Sequence, residues 1–244
     1  MLGLPAAIRG CLFDLDGVLT QTAIVHAAAW QEMFDDFLRR RAKATGEPLV
    51  PFDPVRDYDE YVDGKPREEG TESFLASRGI HLAAGSADDP PGTATIHGLG
   101  NAKNEILLRR LHTDGVHAYP GSVRYVQAAR DAGLRRAVVS SSANTADVLA
   151  AAGIGDLFET RIDGVVAAQE HLRGKPDPDT YLAGAKALGL APEAAAVFED
   201  ALAGVAAGRA GHFGFVVGVD RVGQAGALRA HGASVVVTDL GELL

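Results

Sequence analysis

Short, nearly continuous apolar runs recur along the chain, at residues 11–13, 137–139, 196–198, 213–219 and 235–237. Runs of this length without polar alternation suit strands buried on both faces, as in a parallel sheet. Segments with helical spacing lie between them. Pro120, Gly121 and Ser122 open a segment that carries Val123, Val126 and Ala129 on one face, and Gly133 is placed to close it. Asp177 and Pro178 read as an N-cap and first helical position ahead of Tyr181, Leu182, Ala185 and Leu188, with Gly189 at the end. Strand followed by helix, repeated, predicts an α/β fold with helices on both faces of a parallel sheet.

Residues 23–114 lack the buried-strand runs. Helices are expected there over 23–41, 67–77 and 101–111, with a turn-rich piece at 88–92. The pattern therefore divides the chain into an α/β core, residues 1–22 and 115–244, and an inserted helical domain, residues 23–114.

At 244 residues the chain is long enough for one sizeable core plus an insert, and 47% hydrophobic with 23% charged residues is ordinary globular usage. Cys11, the single cysteine, can form no internal disulfide, which fits a reducing cytoplasm. No export signal and no membrane span is expected, because no apolar run of about 18 residues occurs. The 23 basic and 32 acidic residues leave a formal net charge of −9, which repels nucleic acid and anionic membrane. A small molecule becomes the expected partner. If it is an anion, local cations, helix N-termini or a metal ion must offset the global field.

Four motifs carry candidate chemistry. The first run ends in Asp14-Leu15-Asp16-Gly17-Val18, two carboxylates at the edge of the sheet where open α/β folds bind ligands. One could attack and the other move protons, although an Asp-rich capping turn has the same appearance. Ser140, Ser141 and Ser142 follow the second run, with Asn144 suited to cap the next helix; they could cradle an anion or simply form a polar capping loop. Lys175, in Gly174-Lys175-Pro176-Asp177-Pro178, could neutralise a phosphoryl oxygen or be one more surface lysine. Glu199 and Asp200 end a further run, where adjacent acids need capping, solvent or a metal, and an all-oxygen donor set points to Mg²⁺. The motifs are expected at the ends of four buried strands, so that all converge on one edge.

In this order and placement the motifs resemble the haloacid dehalogenase-like phosphotransferases, and within them the β-phosphoglucomutase group, over nearly the full chain. The resemblance implies a Rossmann-like core interrupted after its first strand by a helical cap. It implies Asp14 as the nucleophile that becomes phosphorylated and Asp16 as general acid and base. Mg²⁺ would be held by Asp14, Glu199, Asp200 and the backbone carbonyl of Asp16, with Ser140, Ser141 and Lys175 on the transferring phosphoryl group. Substrate contacts would come from Thr22 at the hinge, His26, Trp30, Arg67 and Lys103 in the cap, and Ser142 and Asn144 in the core. Arg67, in Gly64-Lys65-Pro66-Arg67, has the fork suited to a second phosphate, which a mutase requires. Taken singly, the cap residues also fit a solvated arginine, a packed histidine and a surface lysine.

The expected activity is thus Mg²⁺-dependent phosphoryl transfer on a sugar phosphate, from the C1 to the C6 oxygen of a β-hexose through a 1,6-bisphosphate, by a monomer or weak homo-oligomer. The alternative is a sugar-phosphate phosphatase that releases the same aspartyl-phosphate to water. Ala143 stands where well-known members of the group carry Lys or Arg, which weakens the distal phosphate site, and Ala201 stands where many have Ser. The cap also carries extra sequence around residues 40–55 and 83–94. A dinucleotide site fails on context: Gly204, Gly208 and Gly211 lie within a helical stretch rather than in the turn after the first strand.

Overall fold

The computed structural model describes residues 2–244. Its sheet has six parallel strands in the order β3-β2-β1-β4-β5-β6, comprising β1 (Gly10–Phe13), β2 (Arg135–Val139), β3 (Thr160–Ile162), β4 (Ala195–Glu199), β5 (Phe215–Val219) and β6 (Val235–Val237). The central strands β1 and β4 are buried at every position, as their unbroken apolar sequences require. The helices are α1 (Thr22–Thr45), α2 (Arg67–Ser77), α3 (Ile96–Asp114), α4 (Pro120–Asp131), α5 (Thr145–Ala151), α6 (Gly164–Gln169), α7 (Asp179–Ala187), α8 (Leu202–Ala210) and α9 (Ala225–His231). Two compact units result: one runs up to Thr22 and resumes at Val116–Leu244, and the other is Ala23–Gly115.

In the sheet unit, β1 lies between β2 and β4, so the strand order reverses there and opens a crevice at the strands' carboxyl ends. Phe13 pairs with both Val138 and Phe198, which brings Asp14, Val139 and Glu199 out of the sheet at one level. The core packs Leu12, Val139, Tyr181, Val197, Val205 and Val216. Gly184 of α7 is a packing requirement, since a Cβ there would lie 2.6 Å from Leu12 and 3.0 Å from Val139.

Three expectations for this unit need correction. Lys175 does not follow a buried strand: β3 leads into α6, and the lysine loop joins α6 to α7. Strand β3 is a three-residue edge strand, Thr160-Arg161-Ile162, too short and polar to show as an apolar run. Helix α7 begins at Asp179 rather than after Asp177, because Asp179 takes bonds from the Arg173 side chain and backbone while Pro178 occupies the cap position.

The inserted unit has its own aromatic core. Phe34 lies 5.3 Å from Trp30 and from Phe52, and 4.2 Å from Phe74, measured between ring centroids. Helix α2 covers the span expected. Helix α3 starts five residues earlier than expected because Thr95 accepts a hydrogen bond from the Gly98 amide, and the two glycines Gly98 and Gly100 conceal the helical pattern. Asp57, buried, is paired with Arg78 at 2.6 Å and Arg56 at 3.2 Å. Among the described residues, no helix is long and apolar enough to cross a membrane.

Asp59 sits in a π-helical turn, Tyr58–Val62, where burial, aided by repulsion from Asp53, pushes its carboxyl up to about 6. The folded chain then holds a proton that the unfolded chain releases near 3.8. The stability from this site is complete at lower pH and is lost as pH rises through about 6. Asp59→Asn should be more stable than the wild type by about 1 kcal/mol at about pH 8, after allowance for partial exposure, and equal to it at about pH 3. Urea midpoints at the two pH values check this; equal midpoints at the higher pH contradict it.

Candidate active site

The carboxyl ends of β1, β2 and β4 meet on one side chain. The ammonium of Lys175, fully buried, donates to Asp14 Oδ1 at 2.6 Å, Glu199 Oε1 at 2.5 Å and the Val139 carbonyl at 3.2 Å. Three N–H donors thus meet three acceptors, one from the end of each strand. Tyr181 lies beneath: its hydroxyl donates to Glu199 Oε1 at 2.9 Å, and its ring lies 4.9 Å from the ammonium. The second oxygen of Glu199 accepts from the Ala201 amide at 3.0 Å. Gly204, one turn into α8, leaves the room that this carboxylate fills, since a Cβ there would collide with it.

These contacts set the electrostatics. Burial pushes the Asp14 carboxyl well above the usual range; Lys175 opposes the shift, and Glu199 and Asp16 add to it. Burial works against the Lys175 charge, but Asp14 and Glu199 outweigh it and hold the ammonium above its ordinary value. Tyr181 is likewise raised, first by burial and then by Glu199, so it remains a phenol and a donor.

Asp14, Glu199 and Asp200 offer oxygens that all lie within 4.8 Å of one another, and all three residues are buried. Lys175 neutralises part of that charge. Oxygen-only donors with excess negative charge fit a hard divalent cation. Gly17 serves the same cluster: its φ is +84°, and a Cβ there would strike the Asp200 carboxylate. Asp16 is oriented separately, since its Oδ1 accepts a short hydrogen bond from the Thr22 hydroxyl, which shares a 2.7 Å bond with Thr20. The structure therefore sets Thr22 on Asp16.

Ser140 is buried, and its hydroxyl accepts from the Ser142 amide at 3.1 Å; the Ser142 hydroxyl accepts from the Asn144 amide at 3.2 Å. Asn144 occupies the cap position of α5, but its side chain makes no capping bond there, contrary to expectation. The start of α6 presses on this loop: Gly164 donates to the Ser142 carbonyl, and a Cβ on it would lie 2.8 Å from the Ser141 oxygen.

Within the inserted unit, His26, Trp30 and Lys103 come together. Lys103, 4% exposed, places Nζ 3.1 Å from His26 Nδ1 and 4.9 Å from the Trp30 ring centre. Arg67 opens α2; its Nε donates to Glu68 at 3.1 Å, and the shaft lies against Gly100. Sequence reasoning missed Tyr181, which it placed among apolar helix positions, and Gly204, which it dismissed with a false glycine motif. A hydroxyl on an otherwise apolar face and a glycine one turn after an acidic pair were the available signals.

A model of the haloacid dehalogenase-like hydrolases matches residues 8–212. The chain belongs to this family. It is 58% identical over 247 residues to a β-phosphoglucomutase of Mycobacterium bovis, covering 100% of this chain and 94% of the relative. It is 30% identical to hexitol phosphatase A of Escherichia coli, over 83% of this chain and 79% of that one. Among solved structures, a β-phosphoglucomutase from Clostridium difficile superposes with a TM-score of 0.74 at 25% identity, covering 97% and 93% of the two chains.

Removing the ammonium while leaving both carboxylates buried should be costly. Lys175→Met is expected to lose about 3 to 5 kcal/mol of unfolding free energy. Lys175→Met combined with Glu199→Gln should recover a substantial part of it. Chemical denaturation of both single variants and the double variant checks this, and strictly additive losses would contradict the direct pairing.

Proposed function

We propose that the protein is a β-phosphoglucomutase, converting β-glucose 1-phosphate to glucose 6-phosphate through a β-1,6-bisphosphate, with Mg²⁺ as its metal. The end-to-end 58% identity to the Mycobacterium bovis enzyme carries that choice of substrate. The geometry of Asp14 with Lys175, Glu199 and Asp200 supports the chemistry, phosphoryl transfer to a carboxylate. The lone cysteine, Cys11, buried and pushed up to about 12 by that burial, fits a protein working in the reducing cytoplasm.

In this reading phosphorylated Asp14 first passes its phosphoryl group to the C6 hydroxyl of β-glucose 1-phosphate, whose proton goes to Asp16, and the bisphosphate results. With the bisphosphate turned round, Asp14 attacks the phosphorus at C1, the bond to the C1 oxygen breaks, and Asp16 gives that oxygen the proton, which releases glucose 6-phosphate and restores the phosphorylated Asp14. Lys175 stays on the attacking carboxylate throughout, and Ser140 and Ser141 hold the transferring group. The metal, bound by Asp14, Asp200, Glu199 and the Asp16 carbonyl, would supply positive charge against the oxygens of the transferring group. Residues 23–114 act as the cap, with Arg67 on the second phosphate and His26, Trp30, Lys103, Ser142 and Asn144 on the sugar phosphate, while Thr22, expected there too, instead orients the Asp16 carboxylate.

The phosphatase alternative has one observation in its favour: Ala143 offers no cation where the group has Lys or Arg. The deciding assay incubates the protein with β-glucose 1-phosphate, Mg²⁺ and trace β-glucose 1,6-bisphosphate, and follows glucose 6-phosphate and free phosphate together. A mutase forms mainly glucose 6-phosphate. Phosphate without glucose 6-phosphate decides for the phosphatase.

Two variants sharpen the test. Arg67→Ala should lose a charge-assisted contact of about 1.5 to 3 kcal/mol, or about one to two decades in productive binding, and raise phosphate release relative to isomerisation. Asp16→Asn should lower kcat by about 10²- to 10⁴-fold with a much smaller change in KM. Equal effects of Arg67→Ala on both products, or near-normal turnover by Asp16→Asn, contradict the respective assignments.

A further inference from the structure

The segment after Asp16 is clamped from two strands away, at the same edge of the sheet, by a residue outside the motifs. Arg221, two residues past β5, donates from Nε to the Gly17 carbonyl at 2.7 Å and from Nη1 to the Thr238 carbonyl at 2.6 Å, while Nη2 approaches the Val18 carbonyl at 3.5 Å. Its guanidinium stacks 3.6 Å from the centre of the Tyr119 ring, and the side chain is 16% exposed. The Val18 carbonyl also accepts from the buried Ser122 hydroxyl at 2.6 Å. The segment thus held is a tight turn, in which the Gly17 amide donates to the Thr20 carbonyl at 2.8 Å and the Leu19 and Thr20 amides both donate to the Leu15 carbonyl at 2.9 Å.

We propose that Arg221 is a positioning residue for Asp16. Gly17 has a left-handed φ of +84°, and its peptide follows directly on Asp16. Fixing its carbonyl fixes the turn that aims the Asp16 carboxylate, whose other anchor is the Thr22 hydroxyl. A planar fork with several donors can span carbonyls from two separate segments while lying flat on an aromatic ring; a lysine ammonium cannot. Asp14 is held independently, by the hydrogen bond its amide donates to the Phe198 carbonyl and by Lys175. Loss of Arg221 should therefore fall on proton transfer by Asp16 and largely spare attack by Asp14.

That division can be read from the leaving group. The inference rests on the proposed roles of Asp14 and Asp16, but not on the mutase reading. Transfer from p-nitrophenyl phosphate to Asp14 breaks the P–O bond and releases a stable aryl oxide that needs no proton; passing the phosphoryl group on to water does need Asp16 as base, so the pre-steady-state burst of aryl oxide is the quantity read. Transfer from β-glucose 1-phosphate leaves a sugar oxygen that Asp16 must protonate. Arg221→Lys and the milder Tyr119→Leu are compared with the wild type on both substrates.

For Arg221→Lys the expected result is a kcat about 10- to 100-fold lower on the sugar phosphate, with KM within about twofold, and a loss under about threefold in the burst rate on the aryl phosphate. Tyr119→Leu should shift both in the same sense by less. Hydrogen exchange at the Gly17, Leu19 and Thr20 amides should quicken while the amides of β1 and β4 keep their protection. Equal losses on the two substrates, or unchanged exchange in the turn, would overturn the proposal. A wild type that releases phosphate from the sugar phosphate without isomerising it would end the mutase reading alone, because the same substrate ratio, read as phosphate release, still decides the role of Arg221.

Discussion

A lysine ammonium without solvent contact, held between two buried carboxylates, is the constraint around which the site is arranged. Such a charge is tolerable only if every N–H finds an acceptor, and Lys175 finds Asp14, Glu199 and the Val139 carbonyl. Each acceptor stands at the end of a different strand, so the pairing fixes the relative heights of β1, β2 and β4 where they open the crevice. It also dictates neighbours that have no chemistry of their own. Tyr181 must offer a hydroxyl beneath Glu199, and Gly204 must leave space for the same carboxylate.

The same arrangement explains how a chain of net charge −9 can accept an anion. Lys175 is consumed in part by Glu199, so the cluster of Asp14, Glu199 and Asp200 retains an excess of negative charge that a hard divalent cation would reverse. Attack by a carboxylate, rather than by a serine or cysteine, is consistent with that setting: Cys11 is buried within β1 and its thiol is pushed up to about 12, far from reactive.

The sheet was legible in the sequence because strands buried on both faces have to be continuously apolar, and β1 and β4, buried at every position, match the runs at 11–13 and 196–198 to within one residue at either end. Strand β3 was not, since an edge strand of three residues that includes Thr160 and Arg161 leaves no such run. The lysine loop was placed after a strand because its own residues say nothing of α6, which is capped through Asp163 and only six residues long. Asp14, Asp16, Lys175, Glu199 and Asp200 stood out by residue type and order along the chain. Tyr181, Gly204 and Arg221 did not, because each acts through a contact more than ten residues away or through an absent Cβ, and neither leaves a local pattern.

The central claim is that Asp14 is the group that carries the phosphoryl. The direct measurement is to mix the protein with β-glucose 1,6-bisphosphate labelled in its phosphates and Mg²⁺, quench in acid, and map the labelled peptide. The account predicts label on the peptide containing Asp14, released by hydroxylamine as an acyl phosphate must be, and absent from Asp14→Asn. Label on another residue, such as Ser140, or label retained by Asp14→Asn would contradict it.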